Sequence, residues 1–443
     1  MTALRAVIVG LGRTGLSVAK HLAPRGWRLA GTDTRDNPPE LAALRAVQPD
    51  MPISLGGLDP ALLDDADCVV VSPGVALNGP FFTRARALGL EVVGDIELFA
   101  RAAQGRIVGI TGTNGKSTVT TLVARMAQRA GLAVRAGGNL GPPALELLDG
   151  AEVIDLYVLE LSSYQLETTS SLALAAATVL NVTPDHLDRY ADIGAYADAK
   201  ARIFARCDTA VINLDDPLVV RMPRANQPRL GFSLRAAVGA DFCLQKHDTT
   251  WWLTRREERL MPADAMRIGG LHNAANALAA LALGEALGLP MQAMLAELRE
   301  FPGLPHRAEW VADVNGVRYV NDSKGTNVGA TLAAVAGFEG PLVVIAGGDG
   351  KNQDFAPLRE AFAGKVRHAV MIGRDAAQIA TVLDGVCSLE HAASLEDAVI
   401  ASSRAAQAGD TVLLSPACAS LDMFRDYSHR GAVFAAAVKG LAA

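Results

Sequence analysis

At 443 residues, half of them hydrophobic, the chain exceeds one ordinary domain and is expected to form two or three, each with its own core. A formal net charge of −6 gives no electrostatic reason to expect nucleic acid as a partner. Five scattered cysteines (Cys68, Cys207, Cys243, Cys387, Cys418) form no C-x-x-C pair, so free thiols in a reducing compartment are expected. Met1-Thr2-Ala3-Leu4-Arg5 runs straight into a strand without signal-peptide architecture, and no apolar run is long enough to span a bilayer. The expectation is a cytoplasmic protein with no membrane insertion.

Short β-rich runs alternate with alanine-rich helical stretches, the pattern of parallel sheets with crossover helices. The first block carries strands at Ala6-Val7-Ile8-Val9-Gly10, Cys68 to Gly74 and Glu91 to Gly94. Gly10-Leu11-Gly12-Arg13-Thr14-Gly15 follows the first strand and opens a helix, and Asp33 ends the next strand, about 20 residues on. Alone this is a dinucleotide-binding fingerprint. Physically, a glycine turn at a helix N-terminus binds any diphosphate, including that of a UDP-sugar.

The second block begins near Ile96. Arg106 to Ile110 reads as a buried strand, Thr111-Gly112-Thr113-Asn114-Gly115-Lys116-Ser117-Thr118 as a triphosphate loop, and Val119 to Ala130 as the following helix. Glycines let backbone N–H groups close on phosphate, Lys116 reaches the β/γ-phosphates and Ser117 offers a hydroxyl to Mg²⁺. Ile110 stands where the longer G-x-x-x-x-G-K-[ST] loop has its first glycine. Strands at Tyr157 to Glu160 and Thr178 to Val182 follow, then an antiparallel insertion with Phe242-Cys243-Leu244 and Trp251-Trp252-Leu253 around a polar turn, and a helix from Asn273 to Leu287. Glu160, at a strand end facing the loop, is placed to share Mg²⁺ with Ser117. His186 beside Asp185 is either a structural histidine or a second metal ligand. Lys200, on the helical run Ala195 to Cys207, reads by itself as a solvated surface lysine.

Phe301-Pro302-Gly303-Leu304-Pro305 reads as an interdomain linker. A third α/β block has strands at Arg318 to Val320, Leu342 to Ile345, Ala369 to Ile372 and Val412 to Leu414.

Thr111 to Thr118, Glu160-Leu161-Ser162-Ser163, Asn181 to Asp188, His272-Asn273-Ala274-Ala275-Asn276, Pro305-His306-Arg307 and Asn321-Asp322-Ser323-Lys324 occur in one order. Together they resemble the Mur ligases, ATP-dependent amino-acid ligases of peptidoglycan precursor synthesis. Gly94 to Phe99, Leu166 to Ser171 and Leu414 to Asp422 extend the resemblance over essentially the whole chain.

The resemblance implies an α/β chain of three domains: an N-terminal Rossmann-like domain (residues 1–95) for a UDP substrate, a central P-loop ATPase-type domain with a mixed sheet (96–303), and a C-terminal Rossmann-like glutamate domain (304–443). It implies UDP rather than NAD at Gly12, Arg13 and Thr14, with Asp33, Thr34 and Arg35 near uracil. Ser72, Gly74, Asn139 and His186 would contact the rest of a UDP-N-acetylmuramoyl-L-alanine substrate. ATP would take Gly112 to Thr118 with Asn276, Arg307 and Asp322. Two Mg²⁺ would use Ser117, Glu160, His186 and Lys200, the lysine being carbamylated. Lys116, His186, Lys200 and Lys324 would be catalytic, and Thr326, Lys351, Ser420, Leu421 and Tyr427 would hold D-glutamate. A monomer is expected. Two alternatives are a folylpolyglutamate-type ligase, which lacks a UDP domain, and a sensor that binds NAD and ATP without ligation.

Overall fold

The computed structural model describes residues 3–441 except Leu140, Ala236 and Glu339, so Met1 and Thr2 of the expected lead-in to the first strand lie outside the described residues. The β-branched runs of the first block form β1 (Arg5–Val9), β2 (Arg28–Asp33), β3 (Ile53–Leu55), β4 (Cys68–Val71) and β5 (Glu91–Val93). All pair in parallel in the order β3-β2-β1-β4-β5. The chain winds outward from β1 in both directions, so β1 and β4 flank a topological switch point, where open α/β sheets leave a crevice for ligand.

The second sheet takes β6 (Arg106–Thr111), β7 (Val134–Gly138), β8 (Leu156–Glu160), β9 (Leu174–Val179), β10 (Cys207–Asn213), β11 (Arg229–Ser233), β12 (Phe242–His247), β13 (Thr250–Arg255) and β14 (Glu258–Pro262). Its order is β14-β13-β12-β11-β10-β9-β6-β8-β7. β6 lies between β8 and β9, a second switch point. The expected antiparallel pair is present as β12 and β13, and it lies within this sheet: β12 pairs parallel to β11, β13 antiparallel to β12 and β14 antiparallel to β13. The strand expected through Val182 stops at Val179, the partner of Thr111, and the chain beyond it, from Leu180, bonds to the end of β6 and to the phosphate loop instead, Leu180 N donating to Thr111 O at 2.9 Å.

The third sheet is β15 (Glu309–Val314), β16 (Val317–Asn321), β17 (Leu342–Gly347), β18 (Val366–Ile372), β19 (Ser388–His391) and β20 (Thr411–Leu414), ordered β15-β16-β20-β17-β18-β19. It is parallel except for β15. Neither β15 nor β19 was expected from the sequence. Both are edge strands with few buried side chains, so neither carries an apolar run.

The apolar clusters show how the sheets are joined. One face of the second sheet shares a cluster with the first through the helix Asp95–Ala102, where Phe99 meets Tyr157 edge-on at 5.2 Å between ring centroids. Two clusters on the faces of the third sheet involve only its own residues. The third unit therefore meets the second through polar contacts. Among the described residues no helix is long and apolar enough to cross a membrane.

The segment expected as a free linker is anchored at its start. Phe301 is fully buried in the core of the second sheet, with the Arg125 guanidinium 5.5 Å from its ring centroid. Phe301→Ala should therefore cost about 3–5 kcal/mol, read by urea unfolding, where a substitution in a true linker would cost almost nothing.

Asp95 is buried with Oδ1 unpaired, and burial pushes its carboxyl up from 3.8 to about 6. Between those values the folded state keeps a proton that the unfolded state has lost. Stability should then fall as pH rises from about 4 to about 6, by at most about 1.4 kcal/mol per unit from this group, and level off above. Asp95→Asn should flatten that decline in unfolding midpoints measured across the window.

Candidate functional site

At the first switch point the turn after β1 packs directly on its own sheet. Gly15 cannot carry a side chain, because a Cβ there would lie 2.2 Å from the Gly10 carbonyl oxygen. This closeness brings the helix Arg13–Leu22 onto the strand ends. Gly12, Arg13, Thr14, Asp33, Thr34, Arg35, Ser72 and Gly74 line one open pocket there. Asp33 is not free to bind a ribose. Its Oδ2 accepts from Leu11 N at 2.7 Å and from Arg35 Nη2 at 2.7 Å, and its Oδ1 accepts from Arg35 N and Nε, both at 2.9 Å. Burial alone would raise its carboxyl, but these bonds prevail and hold it at about 2. The acidic residue fixes the arginine and the turn. Asn139 and His186, the other residues expected to contact this substrate, are not at this pocket; they sit beside the phosphate loop of the second sheet.

At the second switch point β6 delivers Thr111 to the sheet edge, and the helix begins at Lys116, earlier than expected. Gly115 has φ +85°, and a Cβ on it would lie 2.3 Å from Asn276 Oδ1, so the loop and the helix Leu271–Ala286 meet there with room for hydrogen only. Two of the loop's amides are already held within the protein. Thr113 N donates to Asn181 O at 2.9 Å and Asn114 N to Asn181 Oδ1 at 2.8 Å. The amides of Lys116, Ser117 and Thr118 precede the first intrahelical bond, from Val119 N to Gly115 O, and form the anion-binding end of the helix. Lys116 Nζ folds back onto the carbonyls of Gly112 and Thr113, at 2.8 and 2.9 Å.

Glu160 ends β8 and is buried. Its Oε1 accepts from Asn139 Nδ2 at 2.6 Å, while its Oε2 has no partner. A buried carboxylate oxygen without a donor is costly and suits a cation. Ser117, also buried, accepts from Arg307 Nη2 at 2.9 Å.

Lys200 overturns its reading as a surface lysine. It is 1% exposed, donates to Gly112 O at 3.1 Å and lies 4.4 Å from the Tyr196 ring centroid. Its helix, Ile193–Ala201, is short and alanine-rich, so no apolar stripe announced which side faces inward. Burial, reinforced by the Lys116 ammonium, holds its amine well below the ordinary lysine range. His186 has φ +57°, a conformation that strains a histidine, with its ring edge-on to Tyr164 at 5.1 Å. Burial lowers its pKa. Among the described residues no group of three or more His, Cys, Asp or Glu side chains forms a ready metal cage.

The third sheet closes the site from the other side. Asn114, Gly115, Thr118, Asn276, Arg307, Asp322 and Lys324 line one cavity between the second and third sheets. Asp322 follows β16 and accepts from Ala308 N at 3.2 Å and Ser415 Oγ at 2.9 Å, while burial raises its carboxyl to about 6. Lys324 Nζ lies 3.7 Å from the Tyr427 ring centroid, and burial lowers its ammonium to about 8. Thr326 is tied to it through Thr326 N to Lys324 O at 2.8 Å. Lys351 pairs with Asp185, and its segment is bridged to Ala419 through Asp349, which sets it beside buried Ser420. Leu421 follows Ser420 with its side chain 70% exposed.

The sequence reading missed Arg430. It is fully buried and donates to Ser323 Oγ at 3.0 Å, Ser323 O at 2.8 Å and Cys418 O at 3.1 Å, binding the Lys324 and Ser420 loops together. Nothing local distinguishes it from a surface arginine on a helix. Asn213 and Phe232, which line the cavity from the ends of β10 and β11, belong to no motif either.

Three family descriptions match successive parts of the chain: "Mur ligase MurD-like, N-terminal domain" over residues 4–94, "Mur ligase middle domain" over 110–284, and "Mur ligase, glutamate ligase domain" over 306–418. A UDP-N-acetylmuramoylalanine--D-glutamate ligase of Nitrosococcus oceani is 53% identical over 439 residues, covering 99% of this chain and 97% of its own. The enzyme of the same name from Methylococcus capsulatus is 49% identical, covering 99% and 95%. The fold is similar to that of a UDP-N-acetylmuramate-alanine ligase from Thermotoga maritima, with TM-score 0.63 and 18% identity over 99% of each chain. Since the matched segments run in order through all three sheets and the relatives align end to end at about half identity, this chain belongs to the Mur ligase family.

Proposed function

We propose that the chain joins D-glutamate to the L-alanyl carboxylate of UDP-N-acetylmuramoyl-L-alanine, with ATP converted to ADP and phosphate, as a step in peptidoglycan precursor synthesis. The observation that carries this reading is the cleft where the phosphate loop, Glu160 and Lys200 of the second sheet face Arg307, Lys324 and Lys351 of the third. The names of its close relatives support the same substrates. The N-terminal match argues against a folylpolyglutamate-type ligase, and the occupied Asp33 carboxylate argues against an NAD sensor. We assign residues 1–95, 96–303 and 304–443 as the three working units, in a cytoplasmic monomer.

A carboxylate is too poor an electrophile to be amidated directly at neutral pH, and ATP solves this by making it an acyl phosphate. The substrate's diphosphate rests on the Gly12 to Thr14 turn, and its alanyl carboxylate reaches Asn139 and His186. There it attacks the γ-phosphorus, and ADP leaves. The Lys116 ammonium and the amides at the helix start stabilise the charge on the transferring phosphoryl group. Asn276, Arg307 and Asp322 hold adenine and ribose. Thr326, Lys351, Ser420, Leu421 and Tyr427 orient glutamate. Glutamate's amine then attacks the activated carbonyl. Lys324 stabilises the tetrahedral intermediate, which expels phosphate and leaves an amide.

Ser117 and the unpaired oxygen of Glu160 fit a Mg²⁺, which would neutralise phosphate charge when bound. His186 and Lys200 fit a second only after Lys200 gains an anionic group. The depressed lysine pKa favours this, because the neutral amine attacks CO₂, loses a proton and becomes a carbamate.

Phosphate release with ATP, Mg²⁺ and UDP-N-acetylmuramoyl-L-alanine should depend on D-glutamate and be far weaker with L-glutamate. Equal rates with both isomers, or none above the glutamate-free background, would refute the assignment. Lys200→Ala should lower kcat by about 100-fold or more while UDP-substrate affinity, measured calorimetrically, changes little. An unaltered kcat would remove Lys200 from the metal site.

A further inference from the structure

Asn327 starts the helix Val328–Ala336 and makes contacts in two directions. Its Oδ1 accepts from Ala330 N at 2.8 Å, an ordinary N-cap bond. Its Nδ2 donates at 3.2 Å to Asn114 Oδ1 in the phosphate loop and at 3.2 Å to Asp185 Oδ2. Asn114 Nδ2 returns toward Asn327 Oδ1 at 3.4 Å, so the two amides pair. Both partners belong to the second sheet's unit. One side chain, only 2% exposed, therefore bridges the cleft between the second and third sheets.

Its surroundings leave it little freedom. Asn114 is itself gripped by Asn181, whose Nδ2 donates to Asn114 O at 3.1 Å. Two residues after Asn327, a Cβ on Gly329 would lie 3.2 Å from Thr183 Oγ1, so the first turn of the helix already abuts the second unit. Capping does not explain the choice of asparagine. Serine or aspartate caps a helix as well, but neither offers an N–H donor to Asp185 while its oxygen is capping.

We propose that Asn327 is the positioning residue that couples the phosphate loop to docking of the C-terminal unit. A shift of Asn114 as the loop receives a triphosphate is passed to the helix Val328–Ala336. The Asp322 to Thr326 loop, which runs directly into that helix, then moves with it and carries Lys324 over the phosphate. The consequence for turnover rests on the ligase reading; the mechanical coupling does not.

The test compares Asn327→Ser, Asn327→Asp and Asn327→Ala in the full chain. Thermal melting, steady-state phosphate release, and small-angle scattering with and without a non-hydrolysable ATP analogue plus Mg²⁺ are the readouts. Asn327→Ser keeps the cap and should melt within about 2 °C of the parent. Its kcat should nevertheless fall about tenfold or more, with KM for the UDP substrate within about twofold, since that anchor lies on the first sheet. Asn327→Asp, which sets a carboxylate against Asp185, should fall further and lose the compaction that the parent shows with the analogue. Parental turnover in Asn327→Ser overturns the proposal. So does a rate loss in Asn327→Ser that only tracks a matching loss of melting temperature, which would reduce Asn327 to a structural contact. A parent that compacts but releases no phosphate, with Asn327→Asp failing to compact, would sink the ligase reading and leave the coupling standing.

Discussion

The cleft is governed by an imbalance of buried charge. Lys116, Lys200, Arg307, Lys324 and Lys351 converge on a region whose nearby carboxylates are Glu160, Asp185 and Asp322. Burial lowers the proton affinity of Lys116, Lys200, Arg307 and Lys324 alike, so the protein spends folding stability to hold cations out of water. Such a site is completed electrostatically by a polyanion. A triphosphate would supply negative charge where the side chains leave it short.

The same charges are part of what joins the units. The clusters on the third sheet involve only its own residues, so its attachment to the second relies on polar bonds: Lys351 with Asp185, Arg307 with Ser117, and Asn327 with Asn114 and Asp185. Polar attachments of this kind are exchangeable, since water or ligand can replace each bond at small net cost. The first unit differs. Its core merges with that of the second through the Asp95–Ala102 helix, and Glu97 accepts from Ser170 N and Ser171 N at 2.7 and 2.9 Å. The first unit is thus fixed to the second by an apolar seam, while the third is held to it by polar contacts.

The glycine turn and the phosphate loop were legible in the sequence because each is local. A strand, a tight turn and a helix start lie within a few residues, and steric closeness forces glycine at Gly15 and Gly115. Glu160 was legible as a strand end. The edge strands β15 and β19, the anchored Phe301 and the true extent of the β12 to β14 edge were not, because each depends on what packs against it from a distance.

Local order, the parallel α/β pattern and the ordered motifs were determined by the sequence alone, since backbone sterics and hydrophobic periodicity act over short spans. Only the tertiary structure decided the electrostatic state of the site. Lys200 is an ordinary lysine on an alanine-rich helix until that helix is pressed against the phosphate loop, and its altered chemistry then follows from lost solvation. Asn327 and Arg430 are a helix cap and a helical arginine until loops from far along the chain surround them. Burial and partnership are properties of the assembled fold, and no stretch of sequence contains them.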